Sequence, residues 1–118
     1  MITLYGLKNC DTCRKALKWL AGQGIEHRFF DVRADGLGRD RIEAWAGALG
    51  WEVLLNRRST TWRQIAEAER ADLDEARAVA LMAAHPTLIK RPVIETATGT
   101  SVGFTKDTEA ALTGAARG

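Results

Sequence analysis

The feature that most restricts this chain is the order of patterns across residues 2–32. Ile2 to Tyr5 is a short β-prone run ending at Gly6, the mark of a buried strand. Cys13, Ala16, Leu17 and Leu20 follow at i, i+3, i+4 and i+7, one apolar face of a helix that should end near Gly22. His27 to Val32, with Phe29 and Phe30 at its centre, predicts a second strand. Strand, cysteine loop, helix and strand make a βαβ unit, which points to an α/β fold.

The later patterns extend that unit. Ile42, Trp45, Ala46 and Leu49 repeat the helical spacing, and Gly50 should stop the helix. Val53 to Leu55 and Trp62 to Ala68 predict shorter helical pieces around the polar stretch Asn56 to Thr61, with Thr60 capping the second. Asp72 followed by Glu75 resembles a capping box, making Asp72 the N-cap of a helix that the His85-Pro86 step ends. Val93 to Thr96 and Ser101 to Phe104 predict a hairpin across Thr98-Gly99, and a last helix begins near Lys106. With no repeat or linker, 118 residues at 46% hydrophobic are expected to form one domain, residues 1–118, with a single core. The order fits a small mixed four-stranded sheet with helices packed against it.

A net charge of +2 makes no case for nucleic acid or membrane as a partner. The chain has no apolar run of the ~20 residues that span a bilayer, and its N-terminus lacks a signal-peptide pattern. The expected setting is the reducing cytoplasm and the expected state a monomer. In that compartment two cysteines are redox-active or metal-binding rather than a structural staple.

Cys10-Asp11-Thr12-Cys13 lies where the predicted first helix starts. A helix N-terminus carries partial positive charge and unpaired N–H groups, which favour thiolate over thiol. Lys8 and Arg14 should add positive potential, and Asp11 should oppose it. Cys10 is therefore the expected nucleophile. Cys13 is either a thiol that resolves a mixed disulfide or a small buried hydrophobe. Thr12 is expected to satisfy N–H groups at the helix start, and Gly6 to let the chain turn into the loop. A closed zinc site needs four ligands, and only His27 and His85 remain, so no metal is expected.

Four blocks, TLYGLKNCDTCRKALKWL, LGWEVLLNRRSTTWRQI, HPTLIKRPVI and VGFTKD, together resemble the arsenate-reductase-like (ArsC/Spx) family, most closely its YffB-type subgroup. The resemblance implies a thioredoxin-like fold with helices inserted between the second and third strands. It makes Cys10 the nucleophile, Arg91 the arginine of the family's Arg-Pro step, and Pro92 the cis proline beside the thiol. Asn56-Arg57-Arg58-Ser59 falls where arsenate reductases carry a catalytic arginine, so Arg57 or Arg58 would serve, with Arg58 preferred. The expected site is Cys10 and Cys13, with Lys8, Thr12, Arg58, Arg91 and Pro92 binding substrate.

Two departures matter. Gly103-Phe104-Thr105 replaces a third arginine of arsenate reductases, which weakens the case for a small oxyanion needing several donors. Cys13 completes the CxxC that Spx-type regulators use as a redox switch on RNA polymerase. Two functions follow. One is a thiol reductase with glutathione as co-substrate and no bound cofactor. The other is a redox-sensing regulator that binds RNA polymerase through a Cys10–Cys13 switch. A true arsenate reductase ranks behind both.

Overall fold

The structure, a computed structural model, describes residues 2–97 and 99–117, with side chains described as far as Gly114. In chain order the elements are β1 (Ile2–Gly6), α1 (Asp11–Gly22), β2 (His27–Asp31), α2 (Arg39–Leu49), α3 (Trp51–Leu54), α4 (Thr60–Gln64), α5 (Glu67–Arg70), α6 (Glu75–Ala84), a 3-10 turn at Pro86–Leu88, β3 (Val93–Thr96), β4 (Gly99–Val102) and α7 (Lys106–Arg117). They form two compact units, one running to Asp35 and resuming at Arg91, the other spanning Gly36–Lys90.

The first unit holds the sheet, ordered β2-β1-β3-β4. β1 runs parallel to β2 with Leu4 opposite Phe29, and antiparallel to β3 with Leu4 opposite Ile94. β4 pairs antiparallel with β3. This is the mixed, thioredoxin-like sheet that the sequence predicts, with five α-helices between β2 and β3 in chain order. β4 begins and ends two residues earlier than the alternation suggests. Gly103 takes φ 85, a left-handed conformation that stops the strand, although its N–H still reaches the Pro92 carbonyl at 2.8 Å. Phe104 then packs edge-on against Trp19, ring centroids 5.7 Å apart. The turn between β3 and β4 includes Thr98, which lies outside the described residues.

Period-2 alternation puts Ile2 and Leu4 on one face of β1, where they meet Cys13, Ala16 and Leu20 of α1, Ile94 of β3 and Leu112 of α7. Each large aliphatic side chain buried there is worth about 1.5–3 kcal/mol, and together they hold α1 against the sheet. Gly6 has a different role from the one expected. Its φ is not left-handed; instead, a Cβ at this position would collide with the Cys13 sulfur.

The second unit is helical. α2 buries Ile42, Trp45 and Ala46 and stops at Gly50, φ 90, as predicted. It packs on α3 and on α6, which buries Ala78, Val79 and Met82. The α6 cap is Asp74, whose carboxylate accepts the Arg77 N–H at 2.8 Å. Asp72, the expected cap, sits at φ 51, whereas an N-cap needs extended backbone. Likewise Ser59, not Thr60, caps α4 by accepting the Trp62 N–H at 3.1 Å. The predicted piece Trp62 to Ala68 is broken where buried Ile65 turns extended, separating α4 from α5. Leu54–Asn56 and Leu88–Lys90 lie alongside each other, with Asn56 N–H on the Leu88 carbonyl at 2.7 Å and Lys90 N–H on the Leu54 carbonyl at 2.8 Å. Among the described residues no helix is long and apolar enough to cross a membrane.

The contact between Gly6 and Cys13 is testable. Gly6→Ala should cost ~1–3 kcal/mol in urea unfolding, the usual penalty for overpacking. In a Cys13→Ala background the same substitution should cost clearly less, because the sulfur it strikes is gone. Equal penalties in both backgrounds would show that the sulfur is not the obstacle.

Candidate active site

Cys10 is the N-cap of α1, with extended backbone at φ −92, ψ 121. Its N–H bonds the Leu7 carbonyl at 3.2 Å, closing the loop, and its carbonyl accepts the Arg14 N–H at 2.9 Å, opening the helix. Cys10 is half-buried, Cys13 fully buried, and both are free thiols. The Cys10 side chain makes no cap hydrogen bond of regular geometry. Even so, the Cys13 N–H, one turn into the helix, lies close enough to favour the anionic sulfur.

The two thiols are driven in opposite directions. At Cys10 partial burial pushes the pKa up, but the Cys13 N–H, the Cys13 thiol and the Arg91 guanidinium outweigh it and leave the thiol below its ordinary 9.0. At Cys13 burial dominates. The Leu7 N–H helps its anion only a little, the nearby Cys10 sulfur works against it, and its pKa is pushed up to about 12. The pair holds one negative charge, and Cys10 carries it.

Arg91 comes from the residue before β3, and the Arg91-Pro92 peptide is cis. The structure thus brings Cys10, Cys13 and Arg91 together, with Pro92 buried next to Arg91. The other expected cations lie differently. Arg14 donates through Nε to the Lys8 carbonyl at 3.0 Å and approaches Asp11 Oδ1 at 3.6 Å. That ion pair is exposed and contributes little to stability. Lys8 is exposed, and its charge helps hold the Asp31 carboxylate. Thr12 is half-buried at the second helical position, one place too far into the helix to be the cap.

Arg57 and Arg58 belong to the Gly36–Lys90 unit. The Arg57 guanidinium lies 5.8 Å from the centroid of the Trp51 ring, a cation–π contact, and the exposed Arg58 donates its N–H to Asn56 Oδ1 at 3.0 Å.

Sequence reasoning passed over Asp31. It is 7% exposed at the end of β2. The Ala34 N–H does most to hold its carboxyl below the ordinary value; burial opposes, and the Arg33 N–H and the charge and N–H of Lys8 assist. An acid closing an otherwise apolar strand was the available signal.

A family model described as ArsC family matches residues 5–112 of this chain. The chain belongs to the ArsC family. An uncharacterised protein of Haemophilus influenzae is 52% identical over 94 residues, covering 80% of this chain and 82% of its own. A solved YffB protein overlays with TM-score 0.91 at 46% identity, covering 95% of this chain and 98% of its own. A global transcriptional regulator Spx from Streptococcus pyogenes is 26% identical over 109 residues, covering 91% of this chain and 81% of its own. These likenesses within the ArsC family support a thiol-based reductase or an Spx-like regulator.

The split between the thiols sets a pH dependence. Above pH 9.0 an unfolded Cys13 ionises, while the folded one keeps its proton until about 12. The unfolded state then binds fewer protons, so stability should fall as pH rises through this window, by up to about 1.4 kcal/mol per unit. Cys13→Ala should flatten that part of the slope relative to wild type; matching slopes would mean Cys13 is not held protonated. Near pH 7, iodoacetamide should label Cys10 well before Cys13.

Proposed function

We propose that this chain is a glutathione-linked thiol reductase acting through Cys10. The observation carrying this reading is a half-buried thiol of lowered pKa beside Arg91 and the cis Arg91-Pro92 peptide, with its partner thiol kept protonated. In the first step the Cys10 thiolate attacks the glutathione sulfur of a mixed disulfide. The S–S bond breaks, the substrate thiolate leaves and takes a proton from water, and Cys10 carries glutathione as a new disulfide. In the second step a thiolate of free glutathione attacks the adduct, releasing oxidised glutathione and restoring the Cys10 thiolate.

Cys13 could resolve the adduct instead, giving a Cys10–Cys13 disulfide and reduced glutathione. Its pKa of about 12 leaves it a minor thiolate at neutral pH. Formation of the adduct removes the charge on Cys10 but not the burial, which is the larger cause. Glutathione is therefore the better resolving thiol on this reading. Arg91 binds one glutathione carboxylate by paired charge-assisted hydrogen bonds. Lys8, Thr12, Pro92 and either Arg58 or Arg57 complete the proposed contacts, and the cytoplasmic glutathione pool supplies the co-substrate.

The CxxC and the likeness to Spx favour a second reading: a redox-sensing regulator whose Cys10–Cys13 pair controls binding to RNA polymerase.

Turnover of a glutathionylated peptide with glutathione separates the two. Cys10→Ser should abolish it. Arg91→Ala should lower kcat/KM roughly 10- to 150-fold, the value of one charged hydrogen-bonding partner at about 1.5–3 kcal/mol. The variant also loses a group that lowers the Cys10 pKa, so its pH–rate profile should move upward. Its kcat should then recover at higher pH while the increase in KM persists. No turnover by the wild type, together with capture of RNA polymerase by one redox form alone, would select the regulator.

A further inference from the structure

Asp31 faces Gly6 across the β1–β2 ladder, and Gly6 is the last residue before the cysteine loop. A carboxylate 7% exposed has given up most of its water and needs donors in its place. Asp31 Oδ1 accepts the N–H groups of Arg33 and Ala34, each at 2.9 Å. Its own N–H donates to Asp35 Oδ2 at 3.0 Å, fixing the backbone that carries it. The same carboxylate also accepts the N–H of Lys8, inside the loop that leads to Cys10.

The Lys8 residue is held at its other end too, because its carbonyl accepts Arg14 Nε at 3.0 Å. Val32 N–H on the Gly6 carbonyl at 3.0 Å ties down the loop's entry, and Cys10 N–H on the Leu7 carbonyl at 3.2 Å closes its exit. Of these fastenings, the Asp31 carboxylate alone brings an anion, and hydrogen bonds to an ionised acceptor are roughly twice as strong as neutral ones.

We propose that Asp31 is a positioning residue for Cys10: it anchors the Lys8 N–H and so fixes the cysteine loop against the first turn of α1. The proposal rests on reading Cys10 as the nucleophile and adds what holds it in place. Asp31 has two opposed influences on that thiol. Its negative charge acting through space disfavours a nearby thiolate. Its grip on the loop keeps the Cys10 sulfur within reach of the Cys13 N–H and Arg91, which favours the thiolate. Removing the charge without changing the shape shows which prevails.

The experiment is the pH dependence of Cys10 alkylation by iodoacetamide in the full chain, wild type beside Asp31→Asn, with the labelled residue located by mass spectrometry. If Asp31 positions the loop, Asp31→Asn raises the Cys10 pKa, and labelling near pH 7 slows about tenfold for each unit of rise. The rate should return to the wild-type value at high pH. Unchanged or faster labelling near pH 7 would overturn the proposal, leaving at most a through-space charge effect. A merely structural role would lower the melting temperature and leave the profile of the folded protein in place. Should Asp31→Asn fail to fold, Lys8→Pro removes the same N–H from the other side. It should label about tenfold more slowly than Lys8→Ala, and equal rates would overturn the proposal. A wild-type Cys10 titrating at the ordinary thiol value would instead overturn the reading of Cys10 as nucleophile, and this proposal with it.

Discussion

A sulfur anion partly removed from water needs donors to replace the water it gives up, and at Cys10 they come from two elements. The Cys13 N–H and thiol belong to the first turn of α1, and the Arg91 guanidinium belongs to the residue before β3. Neither is useful unless α1 sits at one height on the sheet. That height is set by the apolar stripe Cys13, Ala16 and Leu20 against Ile2, Leu4 and Ile94, and by Gly6, where a larger residue would strike the Cys13 sulfur. Packing of ordinary hydrophobic residues thereby fixes the acidity of one thiol.

The two cysteines share a helix turn yet behave as different acids, because the helix start is a boundary between environments. Cys10 lies outside the first hydrogen-bonded position, half in solvent, and receives donors. Cys13 lies one turn deeper on the core face and loses water without gaining enough in return. The pair therefore titrates as a coupled unit: the first proton lost leaves Cys10, and the second is held more tightly because the first charge is already there. The arrangement protects Cys13 from oxidation and alkylation while leaving Cys10 open to both.

Periodicity made much of this legible. α1 and α2 end at Gly22 and Gly50, as their apolar spacing and terminal glycines indicate, and β3 spans the predicted residues. Features decided by backbone conformation or through-space approach were not. Asp72, Asp74, Ser59 and Thr60 are all acceptable caps by residue type, and the choice falls to whichever backbone is extended at that point. Gly6 reads as a turn residue because nothing in the sequence shows a sulfur arriving from seven positions away. Asp31 reads as a polar strand end, because its donors are backbone groups that carry no sequence signature. At the site, the spacing of Cys10 and Cys13 announces thiol chemistry. The place of Arg91, by contrast, came only through resemblance to a family, since eighty residues separate it from the thiols in sequence.

The count of cations has a consequence for substrate. Arg91 stabilises the Cys10 thiolate, and on the proposed mechanism the same guanidinium binds the substrate's anionic end. A guanidinium has five donors in a fixed plane, so it can face a sulfur and a carboxylate together, but its single positive charge is divided between them. Attack on a disulfide relieves this division. As Cys10 passes from thiolate to mixed disulfide its charge leaves the site, and the guanidinium is released to the carboxylate. A tetrahedral oxyanion would give no such relief, because it brings more charge than one guanidinium offsets and presents it at the reacting atom itself. With Gly103-Phe104-Thr105 in place of a further arginine, the electrostatics of the first unit suit a monoanionic disulfide partner better than an inorganic oxyanion.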